Sequence, residues 1–268
     1  MIEVTNLSFK YETQKEYTLK DVSFSIAKGE KVALLGASGK GKSTLLKLIA
    51  LYLEKQEGTI KIDSKEIDKK VIDNSISYLP QDANKALFPW KRVKNNLYYP
   101  VKLRKGNLSA EDKQFCDDCA KEFGLTGKEL NNFPLKLSGG EKKRLSVIMA
   151  LSIKPNIVLL DEPFAGLDFE TTENIWKFLR KYFADKNTTV MLVTHSIDEA
   201  AVMADRVIFL NKKGKITSLS NENFKKYADL LTTSEDKSML ENPSELLLLP
   251  QFNDYKKKIK EEYEKHCE

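Results

Sequence analysis

A glycine-rich segment, Gly36-Ala-Ser-Gly-Lys-Gly-Lys-Ser-Thr44, limits how this chain of 268 residues can fold more than any other feature. A short apolar run at residues 31–35 precedes it, and residues 43–53 after it carry apolar side chains at helical spacing. The segment fits the pattern G-x-x-x-x-G-K-[ST], in which backbone N–H groups surround phosphate oxygens. In this pattern Lys42 reaches the β- and γ-phosphates and Ser43 faces Mg²⁺. Strand, loop and helix in this order predict a phosphate-binding α/β fold.

A second glycine-rich element, Leu-Ser-Gly-Gly-Glu at residues 137–141, follows about a hundred residues downstream. It directly precedes a helical pattern at residues 141–151, so it would open another helix N-terminus, which favours a bound anion. One nucleotide shared between two copies of the chain explains two phosphate-facing elements in one sequence. We therefore expect a dimer with composite sites.

Near-continuous apolar runs at residues 157–160, 189–194 and 207–210 are bounded by polar residues, which is typical of buried parallel strands. Helical patterns accompany them at residues 141–153, 170–184 and 197–204. This alternation predicts an α/β fold with a parallel-sheet core.

The N-terminal part has a different pattern. Residues 2–11, 19–27 and 59–63 alternate apolar and polar side chains, which predicts an antiparallel β subdomain. Residues 84–135 are rich in Lys, Asn and Asp and show helical segments without a convincing strand. With the helix that follows, we predict an inserted helical subdomain over about residues 84–150.

The last part of the chain forms a C-terminal extension in this interpretation, with the main domain at residues 1–215 and the extension at 216–268. The pattern weakens past about residue 212 and recovers at residues 250–264, an amphipathic helix. Its apolar stripe consists of Phe252, Tyr255, Ile259 and Tyr263. We favour packing of this stripe on the core over a partner-binding tail.

Composition excludes several classes of protein. Charged residues make up 31% of the chain, and no apolar run approaches the roughly 20 residues that span a bilayer. The N-terminus lacks a basic segment followed by an apolar one, so we expect no secretory signal and a cytoplasmic protein. The net charge is +5, and the basic residues are interspersed with acidic ones along the chain, so we expect no nucleic-acid partner.

Cys116 and Cys119 have neither a second cysteine pair nor a nearby histidine, so we interpret them as buried apolar residues.

Two carboxylates end a buried strand in Ile157-Val-Leu-Leu-Asp-Glu162. In such sheets this position lies beside the phosphate loop. Asp161 suits Mg²⁺ coordination, directly or through water, and Glu162 is placed to polarise a water that attacks the γ-phosphorus. The alternative is an acidic pair that caps the following turn.

These elements, together with Gln81, Leu167-Asp168 and His195, stand in the order and approximate spacing of ATP-binding cassette ATPases of membrane transporters. The chain resembles that family over roughly residues 1–215. The resemblance implies that His195 contacts the γ-phosphate and holds Glu162, and that Gln81 reaches the Mg²⁺ and water site. It also implies that Tyr11 stacks on adenine and that the loop with Asp168 contacts the opposite subunit.

The complete predicted site follows from these assignments. The catalytic residues are Glu162, His195 and Lys42. The metal ligands are Ser43, Gln81 and Asp161. The nucleotide-binding residues are Tyr11, Gly36, Ala37, Ser38, Gly39, Lys40, Gly41, Lys42, Ser43, Thr44, Gln81, Ser138, Gly139, Gly140, Glu141 and Asp168.

The sequence departs from the common family pattern at three positions. Glu141 replaces a frequent Gln, and a carboxylate there would weaken attraction to a triphosphate. Gly166 adds flexibility to the loop before Asp168. Met149 stands where many relatives carry Arg, which raises a question about local packing or charge pairing.

The resemblance implies an ATPase subunit of a multi-subunit transporter, working as an ATP-dependent homodimer with ATP and Mg²⁺. Its partners would be integral-membrane permease subunits, which would hold it at the inner face of the cell membrane, and, through them, an extracytoplasmic solute-binding protein. Short segments at residues 87–93, 194–200, 204–207 and 249–255 resemble nitrate/sulfonate/taurine-type importers. The alternatives are an ATPase of a lipid- or lipoprotein-handling system, a soluble non-transport ATPase of the family, and a P-loop kinase or DNA-repair ATPase.

Overall fold

The protein is built around a six-stranded sheet. The computed structural model describes residues 1–67, 75–211, 216–220 and 247–267, and element labels count the elements of these residues in chain order. From one edge to the other the strands are β10 (Ile216–Ser220), β9 (Arg206–Leu210), β3 (Lys31–Gly36), β8 (Thr189–Val193), β7 (Ile157–Asp161) and β6 (Ile76–Leu79). Strand β10 is antiparallel to β9, and the other neighbours are parallel.

The central strands are apolar on both faces because helices or the second sheet cover them. Every residue of β7 and β8 is buried, as the near-continuous apolar runs predicted. Because β3, β6, β7 and β8 are parallel, their carboxyl ends meet at one edge of the sheet. That edge carries the candidate site.

A second, four-stranded antiparallel sheet contains the N-terminus. Its order is β2 (Leu19–Ile26), β1 (Ile2–Phe9), β4 (Glu57–Ile62) and β5 (Lys65–Glu66). The Arg206 guanidinium connects the two sheets, since it pairs with Glu30 at 2.6 Å and donates to the Ser25 carbonyl at 2.6 Å. The predicted antiparallel subdomain is confirmed, although β1 ends at Phe9, so Tyr11 lies just beyond the strand.

Helices cover the large sheet and form the insertion. They are α1 (Lys42–Ile49), α2 (Val93–Lys105), α3 (Ala110–Glu122), α4 (Lys128–Asn131), α5 (Gly139–Ser152), α6 (Phe169–Asp185), α7 (Ile197–Met203) and α8 (Pro250–Cys267). Residues 80–156, all of them described, contain α2 to α5 and no strand, which confirms the inserted helical segment. The helix predicted at residues 43–53 is shorter, because Leu51 has a φ of 61° that ends it.

The two cysteines of the insertion are buried in its apolar interior. Cys116 and Cys119 are 0% and 1% exposed, and burial raises the pKa of each thiol to about 12. A thiol with so high a pKa is a poor nucleophile and a poor metal ligand. The interpretation of both residues as buried apolar side chains is confirmed.

Helix α8 packs its apolar stripe on the main core. Phe252, Tyr255 and Ile259 are 6%, 8% and 0% exposed, and Tyr263 packs against the same cluster. The helix contacts α7, β3, β9 and β10.

Strand β10 also joins the core sheet, although its short polar sequence did not predict a strand. Residues 221–246 of the predicted extension lie outside the described residues. The division of the chain at residue 215 therefore stays a prediction.

Among the helices of the described residues, none is both long and apolar enough to cross a membrane.

Candidate nucleotide-binding and hydrolysis site

The glycine-rich loop connects the end of β3 to the start of α1. Two of its glycines are required by close backbone contacts. A Cβ on Gly36 would lie 2.6 Å from the Leu210 carbonyl oxygen, and one on Gly41, whose φ is 95°, would lie 2.9 Å from the Thr18 carbonyl oxygen. Residues 37–40 form a turn between them. The loop thus delivers backbone N–H groups at the N-terminus of α1, which suits an anion.

Lys42 lies over this loop. Its Nζ donates to the main-chain oxygens of Gly36 at 2.7 Å and Ala37 at 3.0 Å. The side chain is buried, and burial lowers its pKa, while Asp161 and Glu162 oppose this shift. An ammonium has three N–H donors, so one remains for a phosphate oxygen.

Ser43 and Asp161 come together beside the loop. The Ser43 hydroxyl donates to Asp161 Oδ1 at 3.0 Å, and the Tyr78 hydroxyl donates to Oδ2 at 3.3 Å. Asp161 is 1% exposed, and burial raises its pKa although both hydrogen bonds oppose this. Hydroxyl and carboxylate oxygens are hard ligands of the kind that Mg²⁺ prefers. Tyr78 was not predicted, although its position near the end of the strand β6 points to this edge.

Glu162 is held by residues from two neighbouring strand ends. Its Oε1 lies 2.9 Å from His195 Nε2, and its Oε2 accepts from Gln81 Nε2 at 2.8 Å. Its backbone has a φ of 49°, and its N–H donates to the Val193 carbonyl at 2.9 Å. Each carboxylate oxygen keeps a second lone pair, so the group can still accept a hydrogen bond from a water. The predicted residues Gln81, Glu162 and His195 therefore form one connected cluster.

The loop that carries His195 has its own support. The Thr194 hydroxyl donates to the Glu199 carboxylate and accepts the Ser196 N–H at 3.0 Å. The Ser196 hydroxyl in turn accepts the Glu199 N–H at 3.2 Å and caps α7. Burial raises the pKa of Glu199. Sequence reasoning did not select Glu199, although its place three residues after a helix cap was a usable signal.

Ser138 is the N-cap of α5, and Glu141 completes a capping box with it. The Ser138 hydroxyl accepts the Glu141 N–H at 3.2 Å, and Glu141 Oε2 accepts the Ser138 N–H at 2.7 Å. The carboxylate of Glu141 is thus occupied by its own helix start, while the Ser138 hydroxyl keeps its proton to donate. Ser138 and Gly139 are exposed, and a Cβ on Gly139 would meet no atom within 4 Å.

The remaining predicted residues lie around this site. The Tyr11 hydroxyl is 3.1 Å from Thr44 Oγ1, which places the tyrosine against α1. Asp168 caps α6 by accepting the Thr171 N–H at 2.8 Å. A Cβ on Gly140 would lie 3.4 Å from Leu167 Cδ2, so the second glycine-rich element lies next to the loop with Asp168.

Two of the three departures from the family pattern now have a physical account. Glu141 acts in a helix cap, as described above. Met149 is 6% exposed inside the core, where a thioether needs no charge partner.

A phosphate loop between a parallel strand and a helix, with acidic residues at the end of a second parallel strand two places along the sheet, is typical of P-loop nucleotide hydrolases. The sequence profile of the family described as ABC transporter matches residues 19–165. The chain belongs to this family and is one of its ATPases. The predicted family, fold class and ATPase activity are confirmed.

Two similar relatives are named as import ATP-binding proteins. The chain is 41% identical over 194 residues to the aliphatic sulfonates import ATP-binding protein of Zymomonas mobilis, covering 72% of this chain and 76% of the relative. It is 36% identical over 193 residues to the nitrate import ATP-binding protein of Synechococcus elongatus, covering 72% and 69%.

A solved structure is also similar. The ATP-binding cassette MJ0796, in a dimeric post-hydrolysis state bound to ADP and Pi, superimposes with a TM-score of 0.75 at 31% identity. The similarity covers 82% of this chain and 98% of that one.

Proposed function

We propose that this chain is the ATP-hydrolysing subunit of an importer of a small solute, and that two copies bind two ATP molecules between them. The observation that carries the proposal is the connected cluster of Gln81, Glu162 and His195 at the sheet edge beside Lys42 and its loop. Family membership and the import relatives support it.

The chemistry follows from the residues of the cluster. The backbone N–H groups of the loop and the free donor of Lys42 bind the β- and γ-phosphates. Glu162 accepts a proton of the attacking water and orients it, since both of its oxygens are held by Gln81 and His195 but keep a lone pair. The contact between His195 Nε2 and Glu162 requires the ring proton on Nε2, which leaves Nδ1 free for a further partner.

The same edge fits Mg²⁺. The Ser43 hydroxyl, an Asp161 carboxylate oxygen and the Gln81 amide oxygen are hard oxygen donors that would hold it, directly or through water. When bound, the ion neutralises charge on the phosphates. Phosphate oxygens and water supply the remaining ligands, because Mg²⁺ sites of this kind use few protein groups.

The second glycine-rich element supports a composite site. The hydrogen bonds of Ser138 and Glu141 stay within the start of α5, and the exposed surface at Gly139 leaves room for a ligand from outside. An exposed helix N-terminus suits the phosphates of a nucleotide held by the other copy. Asp168, next to this element through Leu167, would contact the same partner.

A cleft of about 960 Å³ suits the permease subunit. It runs from Ser43 and Asp161 past Gln81 to an aromatic and aliphatic wall that includes Phe88, Tyr99 and Leu103. Trp90, whose ring contacts Phe88, is 70% exposed. An exposed aromatic side chain in the segment after Gln81 suits a short helix of a membrane partner, and differential binding of that helix would transmit the nucleotide state.

The cellular setting follows from such a partner. The permease would hold the ATPase at the inner face of the cell membrane, and an extracytoplasmic solute-binding protein would act through the permease. Relatives are named for import of nitrate, aliphatic sulfonates and methionine and for transport of bicarbonate. A small solute of this kind is the proposed cargo.

Replacing Glu162 by Gln tests the proposal. We expect near-normal ATP affinity with turnover reduced by about two orders of magnitude or more, because the amide cannot accept a proton from water. The variant should also accumulate as an ATP-bound dimer in size-exclusion chromatography. Glu122→Gln, an exposed change at the end of α3, is the matched control and should behave as wild type. Turnover of Glu162→Gln close to that of wild type would remove Glu162 from the proposed role.

A further inference from the structure

Helix α5 contains a buried lysine that the site described above does not use. Lys143 is 4% exposed, which is rare for lysine unless the ammonium has a partner. Its Nζ donates to the main-chain oxygen of Gln81 at 2.9 Å. The carboxylates of Asp161 and Glu162 also attract its charge. The lysine therefore lies behind the hydrolysis site, on the side of the insertion.

The contact with Gln81 makes Lys143 the start of a continuous series of hydrogen bonds. Its ammonium holds the Gln81 backbone, the Gln81 amide donates to Glu162 at 2.8 Å, and Glu162 contacts His195 at 2.9 Å. Gln81 is thus held at two points: α5 holds the backbone carbonyl of Gln81, and Glu162 holds its side chain. Gln81 itself is exposed and lies in the loop after β6.

The same helix begins at the second glycine-rich element. Lys143 follows Ser138 by about 7.5 Å along the helix axis, at 1.5 Å per residue. A hydrogen-bonded helix moves as a rigid unit over so short a distance. A shift of the α5 N-terminus, where a nucleotide of the other copy would bind, would therefore displace the Lys143 ammonium and the Gln81 backbone together.

We propose that Lys143 is a positioning residue for hydrolysis, which ties Gln81 to helix α5 so that the Gln81 amide orients Glu162 when the start of α5 is in place. This inference rests on the proposed function, since it assigns a further residue to the same reaction. Lys143 acts through Gln81 and does not touch the nucleotide. A purely structural lysine, which only satisfies its own burial, would affect stability but not hydrolysis through Gln81.

The test replaces Lys143 by Met, which has a similar length and no donor. We expect kcat for ATP to fall at least tenfold, while the Kd of a fluorescent ATP analogue stays within about twofold, because the phosphate loop is unchanged. Lys142→Met on the same helix is the matched control and should leave both values within about twofold. Lys143→Gln, whose amide can donate to the same carbonyl, should retain kcat within about threefold of wild type.

A double-mutant cycle separates positioning from a structural role. In a Gln81→Ala background the amide is absent, so Lys143→Met should change kcat by less than about twofold further. A loss of similar size in both backgrounds, a kcat within twofold of wild type, or an equal loss in Lys143→Gln would overturn the proposal. If Lys143→Met does not fold, Lys143→Ser takes its place, since it is too short to reach Gln81 and leaves room for water.

Failure of this inference is distinguishable from failure of the proposed function. An active Glu162→Gln variant argues against the function itself. A Lys143→Met variant that hydrolyses ATP normally, in a protein where Glu162→Gln is inactive, removes only the role of Lys143.

Discussion

Replacing Ile259 by Ala measures how much the packing of helix α8 on the core contributes to the free energy of unfolding. Ile259 is 0% exposed and faces the main apolar cluster. The change deletes three buried carbons, which costs roughly 2.4 kcal/mol at about 0.8 kcal/mol per methylene. The cavity left behind adds to this, so we expect a loss of about 3 kcal/mol in the free energy of unfolding. Such a loss is a large part of the stability of an ordinary domain.

Urea unfolding followed by far-UV circular dichroism is the assay. Lys258→Ala, on the exposed side of the same helix, is the control and should change the free energy of unfolding by less than about 0.5 kcal/mol. The thiol of Cys267, 1% exposed in the last turn, should also react faster with a thiol reagent in the Ile259→Ala variant. An Ile259→Ala variant as stable as the Lys258→Ala control would refute packing of α8 on the core and favour a partner-binding tail.

Three further changes test other parts of the molecule. Mixing a Lys42→Ala chain with a Ser138→Arg chain should restore about a quarter of wild-type ATPase activity. About half of randomly formed dimers are mixed, and each mixed dimer has one intact site of two. Dimers that stay inactive at every mixing ratio would argue against composite sites. Trp90→Ala should leave the melting temperature and basal ATPase activity unchanged but weaken copurification with the permease, and unchanged copurification would exclude Trp90 from the docking surface. Asp112, whose pKa is lowered by its hydrogen bond from Lys105 at 2.9 Å, should contribute on the order of 1–2 kcal/mol at pH 7. Because folding lowers this pKa, the contribution is present above pH 4 and is lost as pH falls through the folded-state pKa. Asp112→Asn should therefore destabilise the protein at pH 7 and much less at pH 3. An equal loss of stability at both pH values would contradict the ion pair.

Much of the fold followed from local sequence patterns. Buried parallel strands such as Ile157–Asp161 read as continuous apolar runs because both faces of the sheet are covered. The phosphate loop was predicted from residues 36–44, because its glycines allow backbone conformations and close contacts that other residues cannot adopt. The edge strand β10 was missed, since a short polar strand with one neighbour carries little hydrophobic signal.

The contacts of the candidate site also include some that were predicted before the structure and some that were not. The resemblance to ATP-binding cassette ATPases implied that His195 holds Glu162 and that Gln81 reaches the Mg²⁺ and water site. In the structure the three side chains meet, because the parallel strands that they follow end at one edge of the sheet. Sequence did not predict that Glu141 would cap its own helix, nor that Lys143 would reach the Gln81 carbonyl.

The capping box of Glu141 is a local contact between residues three apart, whereas the contact of Lys143 depends on three-dimensional packing. Lys143 shares a helix face with Val147, a pattern that predicts burial but not a partner 62 residues away. The partner is determined only when the insertion packs against the loop after β6. A lysine can satisfy its charge in water or at any nearby carbonyl, and only the tertiary structure removes the water and leaves the Gln81 carbonyl as the acceptor.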